Sequence, residues 1–90
     1  MPQIEFSLQL SEHVDCPVRG ELAEGTLRAG LSTWFEQYPK LSDYLLDSEG
    51  LLRGHLSVFI DGEMVVQAEA LDTQIQQGSE VFFMQAISGG

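Results

Sequence analysis

The final residues of the chain, Ser88-Gly89-Gly90, are the ones whose types and order suggest chemistry. Glycine has no side chain, so two consecutive glycines place the last carboxylate on a thin and conformationally free segment. We expect such a segment to enter a narrow active site of another protein, with the Gly90 carboxylate as the reactive group. A frayed chain end has the same composition, since termini are commonly poorly ordered. The rest of the chain must decide between these two interpretations.

The apolar stretch before these residues carries a candidate docking surface. Residues 80–87 are predicted to form the last strand, and side chains alternate between the two faces of a strand. Val81 and Phe83 are expected to face the core, which leaves their neighbours on the open face of the sheet. The predicted docking residues are Phe59, Phe82, Met84 and Ile87, with Ile87 at the base of the tail. Contiguous exposed apolar residues often mark interaction sites. A homodimer contact and a one-residue error in the face assignment are the alternatives.

No set of catalytic or metal-binding residues is recognisable in the sequence. Cys16 is the only cysteine, so it forms neither an internal disulfide nor a cysteine-based metal site, and it is interpreted as inert. His13 and His55 are the only histidines, and their spacing shows no pairing with Cys16. The carboxylates Asp43, Asp47 and Glu49 are interpreted as solvated loop charges. Any activation of the tail is therefore expected to come from another protein.

Composition limits the class of protein and its partners. Ninety residues with 43% hydrophobic content predict one globular domain. The formal net charge of −10 makes nucleic acid and anionic membrane surfaces poor partners and favours a partner with a basic surface. No apolar run approaches the roughly 18 residues that suggest a membrane span, and the N-terminal residues do not resemble a secretory signal. A cytoplasmic location is the resulting expectation.

Periodicity predicts the order strand, strand, helix, strand, short strand, strand. The predicted strands are residues 3–10, 18–22, 55–61, 63–66 and 80–87. Thr26 is the expected N-cap of the helix, whose apolar stripe contains Leu27, Leu31, Trp34, Phe35 and Tyr38 and which Pro39 ends. Residues 41–46 are predicted to form a short helical turn, residues 71–77 an irregular stretch, and Asp61-Gly62 a tight hairpin turn.

This order predicts an α+β fold. One amphipathic helix covers one face of one sheet, and the arrangement corresponds to a ubiquitin-like β-grasp: a mixed sheet of four to five strands wrapped on one main helix. We expect residues 1–87 to form that domain and residues 88–90 to form a flexible Ser-Gly-Gly tail. In this fold the first and last strands lie side by side and parallel, which periodicity alone does not reveal.

Several short motifs resemble the ThiS/MoaD sulfur-carrier family of ubiquitin-like proteins. They are residues 24–27 at the start of the helix, 38–41 at its end, 57–63 in the third strand and its turn, 71–73, 78–81 and the final Ser-Gly-Gly. Each motif is short, but their order and spacing cover nearly the whole chain. The longer segment 41–53 is similar to that of the larger, MoaD-like members.

The resemblance implies a carrier or co-substrate protein, or the small subunit of a synthase, rather than an enzyme. An E1-like enzyme would adenylate the Gly90 carboxylate with ATP, and a persulfide sulfurtransferase or desulfurase would supply sulfur to form a thiocarboxylate. An acceptor synthase would then use that sulfur for a cofactor, of the molybdopterin type or of a specialised pathway. The chain itself would bind no cofactor. Two alternatives remain open: a ubiquitin-like modifier joined to lysines, and a non-covalent protein-binding module.

Overall fold

Strands and short helices alternate along the chain, and a computed structural model describes residues 1–85. In chain order the elements are β1 (Gln3–Phe6), α1 (Leu8–Val14), β2 (Arg19–Glu21), β3 (Gly25–Thr26), α2 (Leu27–Gln37), α3 (Pro39–Leu45), β4 (Leu56–Ile60), β5 (Glu63–Val65), α4 (Gln67–Ala70), β6 (Gln74–Ile75) and β7 (Glu80–Gln85). None of the helices within residues 1–85 has the length and apolar character needed to cross a membrane.

The main sheet has five strands in the order β2-β1-β7-β4-β5. The first and last strands, β1 and β7, are parallel neighbours at its centre, and every other pair in the sheet is antiparallel. Strands β3 and β6 form a separate two-stranded pair. The α+β fold and the β-grasp strand order predicted from the sequence are therefore confirmed.

The core lies between the inner face of the main sheet and the helices. Phe6 of β1 pairs in register with Phe83 of β7, and their rings stack with centroids 5.8 Å apart. The ring of Trp34 from α2 meets Phe6 edge-on at 5.4 Å. Fully burying an aromatic or aliphatic side chain of this size contributes about 1.5–3 kcal/mol, so this cluster is a major source of stability.

Helix α2 begins and ends where the sequence predicts. The Thr26 hydroxyl accepts a hydrogen bond from the backbone N–H of Ala29 (3.1 Å), as an N-cap does. The residues of its apolar stripe are buried or pack partly buried against the core. Tyr38 closes the helix, and Pro39 then occupies the first turn of α3, where its missing N–H costs nothing. The predicted turn at residues 41–46 is thus a helix that starts two residues earlier.

The first predicted strand is too long. Residues 3–10 alternate in polarity, but the strand ends at Phe6, and helix α1 begins at Leu8. The Ser7 hydroxyl accepts a hydrogen bond from the Leu10 N–H (3.3 Å) and caps the new helix. Leu10 and Val14, four residues apart, share the buried side of that helix, whereas Leu8 is 68% exposed. The helical spacing of the buried residues Leu10 and Val14 therefore decides the local structure, and the alternating polarity of residues 3–10 does not.

The other predicted boundaries need smaller corrections. Strand β2 is shorter than residues 18–22, β4 is shorter than residues 55–61, and β5 ends one residue before position 66. The stretch 71–77, predicted to be irregular, contains the short strand β6, and helix α4 ends just before it. The Asp61-Gly62 hairpin is confirmed: both residues have positive φ (54° and 84°), as a type I′ turn requires.

The packing around Gly20 of β2 requires a glycine, which was not predicted from the sequence. Gly20 lies opposite Ile4 in the β1–β2 register, on the face that α2 covers. A Cβ atom at this position would be 2.6 Å from Cζ2 of Trp34. The Trp34 ring has little freedom to move, because its Nε1–H donates to the Glu21 carbonyl at 2.9 Å.

We expect Gly20→Ala to lower the free energy of unfolding by about 1–3 kcal/mol, the usual cost of overpacking a core. Chemical denaturation would measure the change, with Gly54→Ala as the control. A Cβ at Gly54 would meet no atom within 4 Å, and Gly54 has no positive φ. Equal stability of the two variants would contradict this account of the Trp34 contact.

Cys16 is buried, with 8% of its surface exposed. Its Sγ lies 3.4 Å from the Pro17 carbonyl oxygen. Burial raises the pKa of the Cys16 thiol, and the neighbouring Asp15 carboxylate raises it further. The thiolate is the reactive form of cysteine, so both effects agree with the interpretation of Cys16 as inert.

We expect iodoacetamide to modify Cys16 slowly in the native protein near pH 8 and rapidly after unfolding. The raised pKa leaves less thiolate, and burial blocks access to it. Because the pKa is higher in the folded chain, raising the pH ionises the thiol first in the unfolded chain and thereby weakens folding. Mass spectrometry of time points with and without denaturant checks the expectation. Equal rates in the two conditions would refute it.

Candidate functional site

The outer face of β7 carries the apolar residues that the sequence singled out. Val81 and Phe83 are buried toward the core, and Phe82 and Met84 lie half-buried on the opposite face, as predicted. Phe59 of β4 is the register partner of Phe82, and their rings are tilted with centroids 6.3 Å apart. The structure therefore brings Phe59, Phe82 and Met84 together, while their role in docking remains a prediction.

Met64 belongs to the same surface, although it is not among the docking residues predicted from the sequence. It is the register partner of Phe59 across the β4–β5 hairpin and is 66% exposed. The two-residue turn at Asp61-Gly62 determines that register, so counting outward from the turn would have paired Met64 with Phe59. We call Phe59, Met64, Phe82 and Met84 the sheet-face patch.

A groove of about 550 Å³ runs across this face of the sheet. Phe59, Phe82 and Met84 contribute apolar groups to its lining, and Gln3, Glu5, Arg19 and Glu80 contribute polar groups. Glu5 is the register partner of Phe82, so the two kinds of group are neighbours. Arg19 and Glu5 form an exposed ion pair at 3.5 Å, which contributes little to stability in water. An apolar surface bordered by carboxylates suits a partner that presents apolar and basic groups together.

The tail residues are not part of the described structure. Ile87, Ser88, Gly89 and Gly90 lie outside residues 1–85, as does the expected domain boundary between positions 87 and 88. The described part of β7 ends at Gln85, which pairs with Leu56 of β4. Two residues of the sheet-face patch, Phe82 and Met84, are therefore on the strand that precedes the tail in the sequence.

The structure brings the two histidines to one tyrosine, which the sequence did not suggest. The His13 ring lies 4.6 Å from the Tyr44 ring, and the His55 ring lies 5.0 Å from it, measured between centroids. These residues come from α1, α3 and the residue before β4, so their spacing in the chain gives no indication of the contact. Within residues 1–85 no group of three or more His, Cys, Asp or Glu side chains is arranged to hold a metal ion.

Asp47 has a structural role in its loop. Its Oδ1 accepts hydrogen bonds from the backbone N–H groups of Leu51 (3.1 Å) and Glu49 (2.8 Å). These bonds, that from Leu51 most of all, hold the pKa of the Asp47 carboxyl below its usual value. The structure thus places Asp47 and Glu49 in a loop, as predicted, but it places Asp43 in helix α3, so the predicted loop position of Asp43 is wrong.

The sequence matches a known protein family. The model of the ThiS family matches residues 17–90. No curated protein matches the chain.

Several solved structures share the fold along nearly the whole chain. SAMP1 from Haloferax volcanii has a TM-score of 0.76 and 22% identity, covering 99% of this chain and 98% of that one. A chain of the Amycolatopsis orientalis BexX/CysO complex has a TM-score of 0.83 and 17% identity, covering 100% of both. Mycobacterium tuberculosis CysO, described as an antigen, has a TM-score of 0.81 and 24% identity, covering 97% and 100%.

At these identities the solved structures establish the fold alone. The family match extends over most of the chain and includes the Gly89-Gly90 pair. The resemblance found in the sequence motifs is thereby confirmed, and the chain belongs to the ThiS family of ubiquitin-like sulfur carriers.

Proposed function

We propose that this protein carries sulfur as a thiocarboxylate on Gly90. An E1-like enzyme adenylates the carboxylate with ATP, a persulfide sulfurtransferase or desulfurase provides the sulfur, and an acceptor synthase uses it to build a sulfur-containing cofactor or metabolite in the cytoplasm. The observation that carries the proposal is the family match, which continues from the β-grasp domain through Gly89 and Gly90.

The proposed chemistry explains why a carrier needs a partner. A carboxylate is a poor electrophile because its charge and resonance resist attack. Attack of the Gly90 carboxylate on the α-phosphate of ATP gives an acyl-adenylate and releases pyrophosphate. A persulfide sulfur then displaces AMP, which joins the carrier to the sulfur donor through an acyl disulfide. A thiol attacks the donor's cysteine sulfur, so that a disulfide forms on the donor side and the S–S bond to the carrier breaks, leaving the thiocarboxylate on Gly90. The carrier acts as a co-substrate, and its glycines allow the reacting carbon to enter a narrow channel.

Recognition by the activating enzyme is assigned to the sheet-face patch. The patch combines aromatic and thioether side chains, which are enriched at the centres of protein interfaces, and two of its residues, Phe82 and Met84, lie on the strand that precedes the tail. The bordering carboxylates Glu5 and Glu80 favour a basic partner surface. The Amycolatopsis orientalis relative in fold was solved in a complex with BexX, which supports the idea that this fold binds a protein partner.

The first test is the mass of the chain isolated from its native cells, with the C-terminal peptide sequenced. We expect a mass gain corresponding to replacement of one oxygen by sulfur, located at Gly90. Gly90→Ala should reduce ATP-dependent activation by about 100-fold, because small displacements of reacting groups are that costly. Circular dichroism should show an unchanged fold. An unmodified carboxylate that persists with ATP, a persulfide source and the E1-like enzymes of the same cell would refute the proposal.

A second test addresses the docking residues. Phe82→Asp should raise the KM of the activating enzyme for the carrier about tenfold or more, as expected when an interface anchor worth over 1 kcal/mol is lost. The matched control is Leu51→Asp, which adds the same charge at an apolar residue that is 52% exposed and lies outside the sheet-face patch. Equal KM values for the two variants would remove the patch from the proposal. Binding of the unmodified carrier should weaken as salt rises.

A ubiquitin-like modifier is the second candidate function. Solved structures of small archaeal modifier protein 1, from Haloferax volcanii and from Methanosarcina acetivorans, share the fold with TM-scores of 0.73 and 0.81. The activated Gly90 would then form an amide with a lysine of another protein. Covalent adducts that disappear when Gly89 and Gly90 are deleted would favour this function. A non-covalent module would instead keep its function without the tail and lose it with Phe82→Asp.

A further inference from the structure

Lys40 is the only lysine in the chain. A carboxyl group activated at Gly90 reacts with amines, and the only other amine of this chain is the α-amino group of Met1. If a second copy of the chain accepts the activated tail as an amide, the linkage must use one of these two nitrogens. The position of Lys40 in the fold favours its ε-amino group.

The base of the Lys40 side chain is firmly held while the side chain itself is exposed. Lys40 is the second residue of α3, directly after Pro39. The next residue, Leu41, and Leu45 are both completely buried, so the helix is fixed to the core. The ion pairs found within residues 1–85 join Arg19 to Glu5 and Arg28 to Asp72. Lys40 takes part in neither of them, so no such contact has to break before it reacts.

The surroundings of Lys40 form a small surface hollow of about 220 Å³. His13, Asp43 and Tyr44 line it together with Lys40. The contact between the His13 and Tyr44 rings, at 4.6 Å, fixes one wall. An imidazole and a carboxylate can both take up a proton that the amine must lose. Because a Gly-Gly segment has no side chains, it is thin enough to enter a hollow of this size.

We propose that Lys40 is the acceptor through which one copy of this chain is joined to another, a step that rests on the activation of Gly90 described above. The neutral ε-amine attacks the carbonyl carbon of the Gly90 acyl-adenylate. The new C–N bond replaces the C–O bond to AMP, AMP leaves, and the amine proton passes to a base. Because each copy carries a formal net charge of −10, repulsion opposes the encounter and added salt should accelerate it.

The experiment bypasses enzymatic activation by preparing the chain with Gly90 as a C-terminal thioester, released from an intein fusion with a small thiol. Attack by the amine then forms the C–N bond, breaks the C–S bond and releases the thiol. Intact mass spectrometry counts the joined chains, and proteolysis locates the linkage. We expect linkage at Lys40, faster in high salt. Lys40→Arg should reduce the rate about tenfold or more, equivalent to roughly 1.4 kcal/mol in the activation free energy.

The matched control moves the lysine to another helix. Arg28 is the second residue of α2, as Lys40 is of α3, and it is ion-paired with Asp72. The control therefore combines Arg28→Lys and Lys40→Arg with Asp72→Asn, which removes that ion pair. The number of amines and the helix position are preserved, but the lysine no longer lies in the hollow. The proposal would be overturned by linkage through Met1, by an equal rate in this triple variant, or by closure of the tail within one chain. Failure of the proposed sulfur-carrier function can be distinguished from failure of this proposal. The former would appear as an unmodified Gly90 in the mass of the chain isolated from its native cells, and it would leave the thioester reaction unaffected.

Discussion

The parallel pairing of β1 with β7 is the interaction on which the rest of the structure depends. It places the first and last strands side by side at the centre of the sheet and aligns Phe6, whose ring contacts Trp34, with Phe83. Parallel neighbours cannot be joined by a tight turn, so all elements from α1 to β6 must form the connection between them. Residues 86–90 therefore follow, in sequence, the middle strand of the main sheet.

The alternation of side chains along β7 separates the residues that pack in the core from those of the proposed docking surface. Val81 and Phe83 hold the strand to the core, and Phe82 and Met84 occupy the other face. Because consecutive residues of a strand point in opposite directions, the outer residues can be adapted to a partner without disturbing the packing inside. The hairpin adds Met64 to the same surface through its register with Phe59.

The acidic residues of the groove and the single lysine lie on different surfaces of the domain. The acidic side chains Glu5 and Glu80 line the groove beside the apolar residues, which complements a basic partner. The single lysine lies in a different hollow, on α3 beside His13 and Tyr44. Recognition of an activating partner and acceptance of a second chain would thus use different surfaces of one small domain.

The features that depend on local pattern could be predicted from the sequence. Thr26 as helix cap, the type I′ turn at Asp61-Gly62 and the two faces of β7 follow from capping, backbone sterics and period-two alternation, which act between residues close in the chain. The β-grasp fold and the family were recognisable from the order of these elements and the short motifs. Local alternation also misled at residues 7–10, where the burial of Leu10 and Val14 against the core stabilises a helix instead.

The contacts between residues far apart in the chain could not be predicted in this way and follow from the tertiary fold. The parallel β1–β7 pairing, the contact of His13 and His55 with Tyr44, and the closeness of Gly20 to Trp34 all join segments that are far apart in the chain. Such contacts are set by how whole elements pack around the core, and the periodicity of any single element contains no information about its neighbours. The hollow at Lys40 is of the same kind, because α1 and α3 form it only after both have packed on the core.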